Sequence, residues 1–233
     1  MCGRFIGVPL EVLEQIVQDI QQQQEISQLP DWPAAWPTAY PKTIASVLVP
    51  ADAAAASSAS DASVVAATLP ASAASPTSPA SAAIQLLPRA MQWGFEVSWS
   101  KQVVFNTRFD TALKPGSNMW ADSLAQRRCL VPTLGFFEPH QSETFINPRT
   151  GKDSKQQYLF KRPGAALLLL AGIYDQEQAR FSVMTTAPNR LMQPIHQRMP
   201  VVLRPAETAI WLAGNYETLA DRSAVELTAS PTE

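Results

Sequence analysis

Cysteine and histidine are both scarce in this chain, with two of each in 233 residues. Cys2 and Cys129 cannot build a disulfide framework or a four-cysteine zinc site, and His140 and His196 supply no HxxxH pair. No metal and no cofactor is therefore expected. Charge is sparse as well, at 16% Asp, Glu, Lys and Arg against about 25% in a typical globular domain. The formal net charge of −2 excludes a globally basic field, so any nucleic-acid partner has to be attracted by a local arginine patch. Long apolar runs are missing too. The longest, GAALLLLAGIY at 164–174, is too short to span a bilayer. The chain does not open with a basic segment followed by an apolar run, so no secretory signal is read. These absences predict a cytoplasmic protein with no membrane partner, in a compartment that keeps its thiols reduced.

What is present is a series of short apolar segments. PLEVLEQIVQDI (9–20) places Leu10, Leu13, Ile16, Val17 and Ile20 at helical spacing, with Pro9 suited to a first turn, and predicts an amphipathic helix. TIASVLV (43–49) predicts a strand. From 50 to 83 the chain is mostly Ala, Ser and Pro, with almost no large apolar side chains, which predicts a flexible insertion between two strands. Beyond it IQLL (84–87), MQWGF (91–95), RRCLVPTLGFFE (127–138), QYLF (157–160), AALLLLAGIY (165–174) and FSVMTT (181–186) alternate with turn signals. Pro132 should bend its segment or put it at an edge. PAETAIWLAG (205–214) predicts a second helical stretch. Many strands and few helices predict one α+β domain over 1–233, a mainly antiparallel sheet with a barrel-like core and flanking helices.

Four segments join reactive side chains to apolar flanks. MCGRF (1–5) puts a cysteine directly behind the initiator methionine. Once that methionine is removed, Cys2 carries an amine and a thiol on neighbouring carbons, a pair that condenses with an aldehyde to close a thiazolidine ring. In the same segment Arg4 offers a bidentate fork for phosphate. FNTRFDT (105–111) alternates so that Asn106 and Arg108 share a strand face. In RRCLVPTLGFFE, Glu138 ends an apolar run, and its burial would raise its pKa toward neutrality and suit it to acid–base work. PIHQRMPVVL (194–203) holds His196 and Arg198. Cys129, inside an apolar strand, reads as core.

Taken together, MCGRF, MQWGFEVSWSK, FNTRFDT, RRCLVPTLGFFE, LAGIYD and MTTAPNRLMQPIHQRMPVVL, in that order, resemble the SOS response-associated peptidase (SRAP) domain family, and within it the YedK-like abasic site processing proteins. The resemblance spans most of 1–212 apart from the insertion. It implies covalent attachment to abasic sites in single-stranded DNA through Cys2 after removal of Met1, shielding the lesion, together with a peptidase-type cut of the Met1–Cys2 bond. It implies a catalytic set of Cys2, Asn106, Glu138 and His196, and DNA contacts from Arg4, Trp93, Arg108 and Arg198, in a protein expected to be monomeric and nucleoid-associated when bound. Departures from the family pattern are Pro139 where tryptophan is usual, Asp110 where glutamate is common, TAYP (38–41) without its asparagine, and an end at Glu233 ahead of the usual Asn-containing segment.

Two other classes share features with this chain. N-terminal-nucleophile amidohydrolases also begin Met-Cys-Gly, but they carry a downstream HRG motif that is missing here. A non-catalytic single-stranded DNA binder would use Trp93, Phe95 and Trp99 as stacking platforms.

Overall fold

The computed structural model describes residues 2–32, 35–51, 84–116 and 119–232. A first strand, β1 (Arg4–Gly7), leads through Pro9 into helix α1 (Leu10–Gln21), which buries Leu13, Ile16, Val17 and Ile20 as the periodicity predicts, with Val12 buried and Leu10 only half-buried. Next come β2 (Thr38–Ala39), β3 (Ile44–Pro50), β4 (Leu86–Trp93) and a separate hairpin of β5 (Phe95–Val97) and β6 (Ser100–Val104). A short β7 (Asn106–Arg108) precedes the longest strand, β8 (Arg128–Ile146). That strand is followed by β9 (Asp153–Lys161), β10 (Leu168–Asp175), β11 (Arg180–Thr186), β12 (Met199–Pro200) and β13 (Val202–Leu203). Helix Thr208–Ala213 and β14 (Thr228–Thr232) come last.

The continuous apolar runs reflect a sheet covered on both faces. Val47 and Val49, Cys129 and Val131, and Leu168 and Leu170 enter one core with Cys2, Phe5 and Trp93. Their alternating neighbours Leu48, Leu130, Leu169 and Ala171 enter the other, beneath α1 and Trp211. Cys129 is fully buried, as its setting predicts.

The α+β composition agrees with the sequence reading, but the barrel-like core does not. The 12-stranded sheet is mixed, since β11 pairs in parallel with both β4 and β7. Its order runs β13-β10-β11-β4-β3-β8-β1-β2, with β7, β9, β12 and β14 branching off. An additional β8–β10 ladder crosses this path, but the sheet is not closed into a barrel. The joins at its centre are minimal: β3 meets β8 only at Leu48↔Leu130, and β4 meets β11 over Arg180↔Gln92 and Phe181↔Trp93. β8 instead changes partners along its length, leaving β10 at Thr133, where β1 begins, and taking up β9 from Phe136 onward. Pro132 is not at a sheet edge as expected: it pairs with Leu169 of β10 and, on the other side of β8, falls between the β3 contact and the β1 ladder.

The expected insertion at 50–83 lies outside the described residues from 52 onward. Its attachment points are described, and they adjoin. β3 and β4 pair up to Pro50↔Leu86, and the Ala51 N–H donates to the Gln85 carbonyl at 2.9 Å. A short Gly/Ser turn in place of 52–83 is therefore expected to leave stability unchanged or raise it by up to about 2 kcal/mol, because loop-closure entropy changes slowly with length. Thermal or urea unfolding checks this, and a clear loss of Tm would mean that the segment packs.

Candidate active site

Cys2 lies two residues ahead of β1, whose antiparallel register sets Arg4 against Phe137 of β8, and it sits close enough to Glu138 to feel its charge. Both residues have 0% relative exposure. β7 lies parallel to β11 and delivers Asn106, whose Nδ2 donates to the Cys2 carbonyl at 2.7 Å. His196 sits in the loop between β11 and β12, with Nδ1 4.0 Å from Glu138 Oε2. Four separate segments thus meet at Cys2, Asn106, Glu138 and His196. Pro139 does not turn the carboxylate outward. It pairs with Gln157 across β9, and Glu138 stays inside opposite Tyr158.

Burial sets the electrostatics. It pushes the Glu138 carboxyl up to about 7, so that near neutrality the group both holds and releases a proton. Burial also pushes the Cys2 thiol well above the ordinary range, and the adjacent Glu138 charge adds to the shift, so the sulfur rests as a protonated thiol. The His196 ring is pulled below its usual value by burial, against a backbone hydrogen bond to Arg198 that favours the cation. Its Nδ1 lies 2.9 Å from the Arg198 carbonyl oxygen and 3.2 Å from the Arg198 amide nitrogen, so either neutral tautomer finds a backbone partner. Three buried polar atoms nearby have no hydrogen-bond partner among the described residues: Asn106 Oδ1, Arg4 Nε and Arg198 Nε. Orphaned buried groups cost about 1–3 kcal/mol each. Two donors and one acceptor left in this state around a cysteine are the requirement a polar ligand would meet.

The expected DNA contacts divide. Arg108 and Arg198 line an open groove of about 480 Å³ together with His196 and Pro139. Asp110 holds both arginines, at 2.8 Å to Arg108 Nη2 and 2.9 Å to Arg198 Nη2, and Arg198 also donates to the Thr185 carbonyl. The hydrogen bond from Arg108, with Arg198 beside it, keeps the Asp110 carboxyl below its ordinary value. Arg4 stacks its guanidinium over Phe137, 3.7 Å from the ring centroid. Trp93 presents no surface for stacking. It is fully buried, its Nε1 donates to the Phe105 carbonyl, and its indole packs against Phe5, Phe105 and Phe181. Trp93 belongs to the same buried cluster as Cys2 and Phe5. Phe95 is buried as well, whereas Trp99 stands exposed.

Three groove residues escaped the sequence reading, Lys155, Gln141 and Gln197. Lys155 reaches the groove because the β8–β9 ladder skips from Pro139↔Gln157 to Thr144↔Lys155, a bulge that cannot be read from either strand alone. Gln141, inside that bulge, ties it to the His196 loop: its N–H donates to the Ile195 carbonyl and its Nε2 to the Gln193 carbonyl.

The chain is similar to several known proteins. The abasic site processing protein YMR114C of Saccharomyces cerevisiae is 30% identical over 132 residues, 52% of this chain and 33% of that protein. Abasic site processing protein YoqW of Bacillus subtilis is 28% identical over 134 residues, 52% of this chain and 55% of that one. The matches therefore span about half or less of the curated relatives. A crystal structure of a phage-related protein from Bordetella bronchiseptica superimposes with a TM-score of 0.59 at 18% identity, over 99% of this chain and 94% of that one, a likeness of fold. The family model for the SOS response associated peptidase matches residues 1–233. With its motifs in the family's order and a full-length match, the chain belongs to the SOS response associated peptidase (SRAP) family.

Proposed function

We propose that this chain is a YedK-like abasic site processing protein, one that joins itself to abasic sites in single-stranded DNA through Cys2 once Met1 is removed. The observation that carries the reading is the convergence of Asn106, Glu138 and His196 on a cysteine next to the chain start. An abasic sugar equilibrates between a closed hemiacetal and an open aldehyde. His196 and Glu138 move the proton that opens the ring. The Cys2 amine, with a reference pKa of about 7.7–8.0, is partly neutral at pH 7 and attacks the aldehyde carbon. A C–N bond forms, water departs with the carbonyl oxygen, and an iminium remains. The sulfur then bonds to that same carbon and closes the thiazolidine, while its proton passes to the Glu138 carboxylate and replaces the one given to the departing water. A thiol held protonated by burial needs such a base beside it. Holding amine, thiol and aldehyde together supplies the proximity that free cysteine lacks. The same pair, Glu138 and Cys2, is suited to hydrolysing the Met1–Cys2 bond, the peptidase step.

The test is incubation with single-stranded DNA carrying one abasic site, followed by a denaturing gel. A heat-stable shifted band supports the reading, and its absence at saturating protein rejects it.

Phosphate contacts from Arg108 and Arg198 make the affinity salt-dependent. For single strands the slope of log affinity against log salt is about −0.7 per neutralised phosphate. Arg108→Ala is expected to flatten the slope by roughly that amount. Anisotropy titrations over a range of salt concentrations check this, and an unchanged slope places Arg108 outside the DNA path.

A further inference from the structure

Beyond the groove at His196 lies a second, larger cavity of about 1020 Å³, between the β8–β9 hairpin and β14. Lys155 lines both cavities. Phe145 and Arg149 line the second, with the amides of Asn147, Gln156 and Gln157. The Phe145 ring is half-buried and Arg149 is exposed. The turn that presents Arg149 is well fastened. Asn147 Oδ1 accepts from the Arg149 N–H at 2.9 Å, and the Asn147 carbonyl accepts from the Gly151 N–H at 2.8 Å. No carboxylate is among the described residues lining either cavity, although the chain as a whole carries a net charge of −2. A flat ring, two cations, amide groups and no acid suit a nucleobase with its phosphates.

We infer that the second cavity holds the single-stranded DNA flanking the lesion on one side, with Lys155 bridging from the lesion groove and Phe145 and Arg149 gripping the flank. The inference rests on the abasic-DNA reading above and adds a binding subsite to it. From Gln157 to Asp153 the hairpin advances four residues, roughly 13 Å at about 3.3 Å per residue. Several nucleotides of a stacked strand cover that length at about 3.4 Å each. The flank is the occupant, rather than a mononucleotide, because the shared lysine makes the two cavities neighbours along one path.

The test uses fluorescein-labelled single-stranded oligonucleotides with a central tetrahydrofuran abasic analogue, which cannot crosslink, and with either flank trimmed to two nucleotides. For the unaltered protein, trimming one particular flank is expected to weaken binding roughly tenfold or more, the range seen for loss of base–aromatic stacking. Phe145→Ala/Arg149→Ala protein should bind the long oligonucleotide as weakly as the unaltered protein binds the trimmed one, with no further loss on trimming. Equal flank dependence in the two proteins overturns the inference. Arg149→Ala alone, on an exposed turn, covers the case in which loss of Phe145 disturbs the hairpin, and it should flatten the salt slope by about 0.7. An unchanged slope counts against the inference. A true abasic oligonucleotide run in parallel separates the two readings. Flank dependence without any adduct rejects the crosslinking chemistry and keeps the subsite, whereas an adduct with no flank dependence does the reverse.

Discussion

Cys2→Ala protein is expected to yield no heat-stable adduct with abasic single-stranded DNA while binding that DNA as before. Alanine is small enough for an ordinary methionine aminopeptidase to remove Met1 without the Cys2–Glu138 cut, which the intact mass verifies, so the variant keeps the amine but loses the sulfur that closes the ring. What remains is an imine, which hydrolyses when the sample is denatured. Borohydride added during incubation should reduce that imine to a secondary amine and restore a band. A heat-stable band from Cys2→Ala without reductant would exclude the thiazolidine. Failure to form a band even with borohydride would mean that the amine does not reach the aldehyde. Cys129→Ala is the matched control. Burial pushes both thiols up, so neither residue is distinguished by a preformed thiolate. Position distinguishes them: Cys129 sits in mid-strand within the core, and Cys2 lies beside Glu138 with its carbonyl held by Asn106.

The candidate set was legible through the family's motifs taken together, and in part because a polar residue that ends an apolar segment is forced to the edge of a core. Glu138 shows this most clearly, since the apolar run before it already implied burial and a raised pKa. Helix α1 was readable for the same reason, its buried face repeating at helical spacing. Pairing was not readable. A run buried on both faces, such as Leu168–Asp175, has no alternation to say which strand lies beside it, so neither the parallel ladders of β11 nor the open path of the sheet could be inferred. Trp93 misled for a related reason. An indole is a large apolar body with one donor, and composition cannot tell whether that donor meets a base or, as here, the Phe105 carbonyl. Lys155 gave no signal at all, because a bulge in its partner strand brings it to the groove.

Glu138→Gln should separate binding from chemistry and reveal a stability cost carried by the site. Glutamine keeps the shape and hydrogen-bonding capacity of the side chain but cannot give up and recover a proton. DNA affinity should stay within a few-fold of the unaltered protein, while the crosslinking rate falls by about 10²–10⁴, the usual contribution of a positioned acid or base. Reversal of a preformed adduct should slow as well, since the same proton transfers run backward. Crosslinking at the unaltered rate would assign the proton transfers to His196 alone. The stability effect has the opposite sign. The Glu138 carboxyl titrates near 7 in the folded protein against 4.5 ordinarily, so between those values the folded chain holds a proton that the unfolded chain has released. Stability from this group is therefore present below 4.5 and lost as the pH rises through 7. The total is about 3 kcal/mol by proton linkage. Glutamine does not titrate, so the variant should gain on the unaltered protein across that window, with little difference at pH 4 and the largest at pH 8. Urea unfolding at the two pH values measures it. A stability difference that does not change with pH would mean that the carboxyl is not held protonated by burial, and that its acid–base role has a different origin.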